Sequence, residues 1–251
     1  MKLLEREARR GLAVPRTLWQ VASGHLFGVR ALLEQAAAEF VTLRTERAMP
    51  TVALVGEIYA RCNPFANDFV IEKLEQRGLR VRLAPTWEWL EYADLQARLD
   101  GVQGGFTAAL TSRLQTRIRN LTYAAMARAL GWSARTSVGD AFAAAQPYVP
   151  TDLRGEAVLT VGTPRHEWHH GEIDAVVNVG PHECMPSKIA EAQLFHLAED
   201  DGLLSLSLPL NGDPIDPEIL DSFAFEVHAR WRKQAGRAAT EPVGTRAGVQ
   251  P

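Results

Sequence analysis

Two stretches of this chain carry residue types and spacings that could do chemistry, and one quotation holds both: HEWHHGEIDAVVNVGPHECMPSKIAEAQ, residues 166–193. His166, Glu167 and His170 match the pattern H-E-x-x-H. On a helix, histidines at i and i+4 face one way and can both reach a zinc ion, with the glutamate as general base. Further on, Cys184 stands in a G-P-x-x-C-M-P loop. A cysteine that follows a strand and opens a helix sits among free N–H groups at the positive end of the helix dipole. That setting favours a thiolate, which is a nucleophile or a metal ligand.

The context weighs differently on the two. Gly171 follows the histidine motif at once and Pro164 lies just upstream, so only a short helical segment is there to hold it. No third ligand follows at a known spacing. The plain alternative is a polar helix end, with histidines favourable beside the negative end of the dipole. For Cys184, Pro181 and Pro186 stiffen the loop. His182 and Glu183 adjoin it, but no histidine–carboxylate pairing assigns it as a nucleophile. The plain alternative for it and for Cys62 is a small core residue.

Composition sets the bounds. A chain of 251 residues with 46% apolar and 23% charged residues can bury a core and suits one large or two small domains. The formal charge of −3 gives no reason to expect nucleic acid or an anionic membrane as partner. No apolar run approaches the roughly 20 residues of a membrane-spanning helix. The charged segment at residues 1–10 lacks the following apolar stretch of a secretory signal. Two distant cysteines do not make a disulfide framework, so the expectation is a cytoplasmic protein with reduced thiols.

Local patterns along the chain define the strands and helices that carry these residues. Residues 14–48 read as one long helix, with Gly24 and Gly28 in its middle. PTVALVGEIY is a buried-strand pattern, and NPFANDFVIEKLEQRG is a helix that stops at Gly78. LRVRLAP is a second strand, which completes a βαβ unit. Residues 86–146 read as helical, with a break at Gly101 to Gly105. Residues 151–171 read as helix interrupted by Gly162 and Pro164. A strand at IDAVVNV, a helix with Pro186 in its first turn, a strand at LLSLSL and a helix opening at Asp216-Pro217 complete the pattern. The fold class is therefore α/β: a Rossmann-like parallel sheet of about four strands, near residues 52–57, 80–84, 173–179 and 203–208. It carries a large helical insertion and an N-terminal helix. The domain reading is an N-terminal helical segment over 1–49, the α/β domain over 50–233 with its insertion at 86–170, and a disordered tail over 234–251. In such sheets ligands bind beyond the strands' carboxyl ends. Cys62 and Cys184, the only cysteines, follow strands one and three and are expected on the same edge.

Several segments together carry a resemblance. VALVGEIYARCNPFANDFVIEKLEQRGLRVRLAPTWEWL, PYVPTDLRGEAVLTVG, IDAVVNVGPHECMPSKIAEAQ and LSLSLPLNGDPIDPEILDSFAFEV resemble the C-terminal region of the acyl-CoA dehydratase activase-related proteins, also called CoA-substrate-specific enzyme activases. The likeness runs from about Pro50 to Arg232. That region is related to 2-hydroxyacyl-CoA dehydratase subunits and double-cubane-cluster reductases. The relatives hold an iron–sulfur cluster with three cysteines, the last in a G-C-M/L-P loop after a strand, and Cys184 matches that position. The chain departs from the pattern at Glu183, where relatives carry glycine, and it has no match to their upstream cysteines; Cys62 matches none of the ligands. A cluster needs three or four thiolates. The resemblance therefore implies a 4Fe-4S cluster shared with a partner chain, with Cys184 as the one metal ligand from this chain. The implied partners are a separately encoded cysteine-containing subunit and an actin-like ATPase. The implied function is a stand-alone C-terminal module in ATP-driven low-potential electron transfer. The alternatives are a cluster-less binding or scaffold subunit of the same fold and a zinc hydrolase using His166, Glu167 and His170. Neither G-x-x-x-x-G-K-S/T nor G-x-G-x-x-G occurs, so no nucleotide site is expected.

Overall fold

The computed structural model describes residues 13–44, 47–101, 105–133, 135–150 and 152–240. Residues 1–12, from the N-terminal segment, and 241–251, from the expected disordered tail, lie outside the described set. The chain divides into two compact units: Met1–Arg47 with Leu90–Arg135, and Ala48–Trp89 with Thr136–Pro251. The insertion expected over 86–170 is thus split, its first part grouping with the N-terminal helices and its second with the sheet.

The second unit is built on four parallel strands, β1 (Thr51–Gly56), β2 (Arg80–Leu83), β3 (Ala175–Pro181) and β4 (Leu204–Leu210), in the order β2-β1-β3-β4. The two central strands are the most apolar, and each is buried except at one end. Strands covered on both faces need side chains that suit the interior on both, and continuous apolar runs meet that need. Alternate residues feed two cores. Val52 and Leu54 point to one, with Val70 and Leu74 of helix α4 (Val70–Gln76) and Leu220, Phe223 and Val227 of helix α10 (Pro217–Thr240). Ala53 and Val55 point to the other, with Ala145 of α7 (Val138–Ala145), Val158 and Val161 of α8 (Ala157–His169), and Leu194 and Leu197 of α9 (Met185–Asp200). The two faces follow from handedness. From β1 the chain moves one way to β2 through α4, and from β3 it moves the opposite way to β4 through α9. Right-handed crossovers in opposite directions must lie on opposite faces.

Helix α8 corrects one expectation. Gly162 and Pro164 do not interrupt it; the helix is continuous with Pro164 inside. Proline there forfeits one backbone hydrogen bond, but residues 157–164 are all buried, and their packing offsets the loss. Gly162 is what allows that packing. A Cβ at this position would stand 1.9 Å from Ala141 O and 3.0 Å from the Ala145 Cβ, so α7 and α8 touch backbone to backbone.

The first unit holds α1 (Ala13–Ser23), α2 (Val29–Leu43) and α6 (Phe106–Leu130), and it takes most of α5 (Trp87–Leu99). Here the expected single helix over 14–48 is two helices. The break falls at the glycines: Gly24 and Gly28 have φ of +76° and +88°, and Leu26 and Phe27 between them are also left-handed, so the helical hydrogen-bond ladder cannot pass. Helix α10 continues to Thr240, into the first residues of the expected tail; the stretch after Arg232 has three alanines with one lysine, one glutamine and one arginine, all of which favour helix. Among the described residues no helix is long and apolar enough to cross a membrane.

The contact at Gly162 gives a prediction. Gly162→Ala should destabilise the protein by about 1–3 kcal/mol, because the added methyl must push α7 away. Denaturant unfolding measures it; an unchanged midpoint would mean that α7 and α8 do not meet at this glycine.

Candidate functional site at the carboxyl edge of the sheet

The order β2-β1-β3-β4 puts the reversal of strand order between β1 and β3, the place where sheets of this kind bind ligands. The last residue of β1, Gly56, has φ +109°, and a Cβ on it would stand 2.0 Å from Val179 O and 2.7 Å from Asn178 Oδ1. Only glycine lets the two strands end this close together. The chain then turns, and the Glu57 N–H donates to Val179 O at 2.9 Å. The Glu57 carboxylate caps the five-residue helix α3 (Ile58–Cys62), accepting from Tyr59 N at 3.1 Å and Ala60 N at 2.7 Å. Cys62, at the far end of α3, is exposed.

The loop after β3 is equally determined. Cys184 N–H donates to Pro181 O at 3.0 Å, which closes a turn across His182 and Glu183. Glu183 has φ +62°, the left-handed conformation that glycine adopts without strain. The glycine that the resemblance leads one to expect at this position would suit the backbone better than glutamate does. Cys184 is the N-cap of α9, with Pro186 in the first turn. Its side chain makes no capping bond and is partly exposed, so it is not a residue of the core. Beneath the loop, Asn178 is 1% exposed. Its amide nitrogen donates to Ser187 O and Ser207 Oγ, each at 3.3 Å, while its Oδ1 has no partner among the described residues.

The histidine motif separates in space. Glu167 is buried and forms an ion pair with Arg82, which also binds Glu172 at 3.0 Å. The His166 and His170 rings lie against each other with centroids 4.1 Å apart at the end of α8. Burial and the neighbouring His170 hold His166 below the usual histidine range. The intervening His169 pairs with Asp201 at 3.0 Å. The glutamate that would serve as general base is thus committed to a guanidinium. Among the described residues no group of three or more histidines, cysteines or carboxylates is placed to hold a metal ion.

The sequence reading missed a buried polar network that the edge of the sheet encloses. Arg61, beside Cys62, is 3% exposed, and it donates to Gly56 O at 3.2 Å and to Glu88 Oε1 at 2.8 Å. Thr163 reaches the other Glu88 oxygen at 3.5 Å. Burial pushes the Glu88 carboxyl up to about 7 against the pull of Arg61, and the charge of Glu167 adds to the rise. Glu167 is raised by its own burial, with Arg82 opposing. Glu156, held at 3.2 Å by the Trp89 indole N–H, is raised by burial and by the charge of Glu57. One signal was readable: Thr160, Thr163 and Glu167 recur at helical spacing on α8, a polar stripe along a helix that is otherwise apolar.

Comparisons of the chain with family models, with curated proteins and with solved structures return no match.

Two expected outcomes follow from the network. A carboxyl raised in the folded state costs stability once it ionises. Relative to Glu88→Gln, the wild type should therefore lose stability as pH rises from about 4.5 to about 7 and change little above that range. Urea unfolding of both proteins at pH 5 and pH 8 checks the sign; a wild type gaining on the variant with pH would mean that Arg61, not burial, governs Glu88. For the motif, His166→Ala with His170→Ala should shift stability by no more than about half a kcal/mol. Glu167→Ala leaves Arg82 without its buried partner and should cost roughly 2 kcal/mol, discounted from a fully buried pair because Arg82 is about one-third exposed. Zinc lost with the two histidines would instead mark a metal site.

Proposed function

We propose that the carboxyl edge between β1 and β3 is a subunit interface of an iron–sulfur system related to the CoA-substrate-specific activases and 2-hydroxyacyl-CoA dehydratases. In this reading Cys184 offers one thiolate, and a partner chain supplies the other ligands and the second wall of the cleft. The observation that carries it is the position of Cys184: N-cap of a 16-residue helix, at the reversal point of the sheet, with its side chain outside the core and engaged in no cap. Helix N–H groups at such a position favour a bound or developing negative charge. Around it the strands' carboxyl ends lead into large apolar side chains left in solvent: Tyr59 is 65% exposed, Phe65 85% and Met185 65%. Grouped exposed apolar residues mark surfaces that bind other molecules.

The chain's own donors do not make a cluster. Two cysteines are too few for a cubane, and Cys62 stands at the far end of α3. What this chain contributes is a thiol held by a tight turn, two strand ends held close together at Gly56, and the buried Arg61–Glu88 pair that fixes α3. ATP-driven low-potential electron transfer would belong to the assembled complex. A second reading, a cluster-less scaffold of the same fold, is favoured by one observation: Glu183, 85% exposed next to Cys184, puts a negative charge where an anionic cluster would sit.

Anaerobic co-expression with the product of the neighbouring reading frame tests the proposal. Iron and acid-labile sulfide should co-purify with the complex, fall to background in Cys184→Ser, and persist in Cys62→Ser. Equal iron in wild type and Cys184→Ser would refute the ligand assignment. A stable complex without iron in either would establish the scaffold.

A further inference from the structure

The helical unit carries charge of its own kind. Residues 101–135 contain five arginines and no acidic residue, in a chain whose formal charge is −3. On α6, positions 113, 116, 117 and 120 recur at the i, i+3, i+4, i+7 spacing that places them on one face. A groove of about 570 Å³ runs along this face, lined by Arg98 of α5 together with Ser112, Arg113, Thr116, Arg117 and Asn120.

The polar groups on the groove wall share one property: a guanidinium donates to the oxygen of each. Arg98 donates to Ser112 Oγ, Arg119 donates to Thr116 Oγ1 at 3.2 Å, and Arg135 donates to Asn120 Oδ1 at 3.2 Å. Each of these oxygens keeps a second lone pair, but it sits beside a guanidinium, and the serine and threonine O–H and the asparagine amide N–H add donors to the wall. Arg117 is anchored by donating to Val21 O at 3.3 Å and Ala22 O at 2.8 Å, which leaves one of its terminal nitrogens outside these bonds. Arg98 pairs with Asp94, and among the described residues no carboxylate forms an ion pair with Arg113 or Arg117. A wall dominated by guanidinium groups, with hydroxyl and amide donors among them, is complementary to an oxyanion.

We propose that this groove binds a small organic anion bearing phosphate or carboxylate groups, independently of the reading given to the edge of the sheet. The volume suits a molecule rather than a lone ion, within the range of small-molecule sites. The groove is bounded by the end of α5 and a few turns of α6, which suits a compact ligand better than an extended nucleic acid backbone.

The test is calorimetric titration of the full chain at low ionic strength with pyrophosphate and, separately, with citrate. Saturable binding of either is expected, and the tighter probe separates phosphate from carboxylate as the recognised group. Arg113→Glu, at an exposed position, should weaken binding about tenfold or more with unchanged far-ultraviolet circular dichroism, since each charge-assisted hydrogen bond is worth about one decade or two. Arg117→Gln, which keeps donors for the Val21 and Ala22 carbonyls, should weaken it as well. Three results would overturn the site: no saturable binding of either probe, affinity unchanged in both variants, or a short single-stranded oligonucleotide displacing the bound probe at lower concentration than the probe itself.

Discussion

The structure of the sheet unit depends on how closely β1 and β3 end. With Gly56 pressed on the Val179 carbonyl, there is no room for a side chain between the two strands, and the chains leaving them must part at once. One goes into α3 under the Glu57 cap, the other through a tight turn to Cys184 and α9. Both cysteine-bearing segments therefore start from a fixed point. A larger residue at position 56 would have to separate the strands, because it meets backbone atoms that cannot rotate aside, and it would also have to adopt a strained positive φ.

Charge has to be accommodated next to that junction. Arg61 sits almost wholly out of water, binds the Gly56 carbonyl and pairs with Glu88. Arg82, Glu167 and Glu172 extend the network between the sheet and α8. Buried ion pairs add little net stability because desolvation consumes most of the attraction, while losing one partner is costly. Their consequence here is positional: α3, the start of α5 and the middle of α8 are tied to one another, and the end of α8 to β2, by groups that tolerate few other arrangements. Burial raises the Glu88 carboxyl for the same reason: desolvation outweighs the pull of Arg61.

The parts of the fold legible in the sequence were those fixed by local pattern. Apolar runs such as Val52 to Val55 and Ala175 to Val177 announce buried parallel strands, and Asp216 and Pro217 announce a helix start. Features fixed by partners distant in the chain were not legible. Glu167 looked like part of a zinc motif because its letters fit; it is an ion-pair residue because Arg82, on β2, is folded against it. Pro164 looked like a helix break and is a buried helical residue because α7 packs along Gly162. Gly24 and Gly28 flagged the weak point of the N-terminal helix, but the left-handed Leu26 and Phe27 that complete the break have no local signal. Cys184 itself was singled out in advance by its loop. What the sequence could not say was that its side chain stays outside the core.

The central claim is that Cys184 is a functional thiol on a surface covered by a partner, whereas Cys62 is an ordinary exposed one. Differential alkylation measures this directly: iodoacetamide applied to anaerobic cells, then to the purified chain, with modification at each cysteine quantified by mass spectrometry. The account predicts that Cys184 is protected in the cell and reactive after purification, while Cys62 is modified in both. Equal modification of Cys184 in the two samples would contradict it.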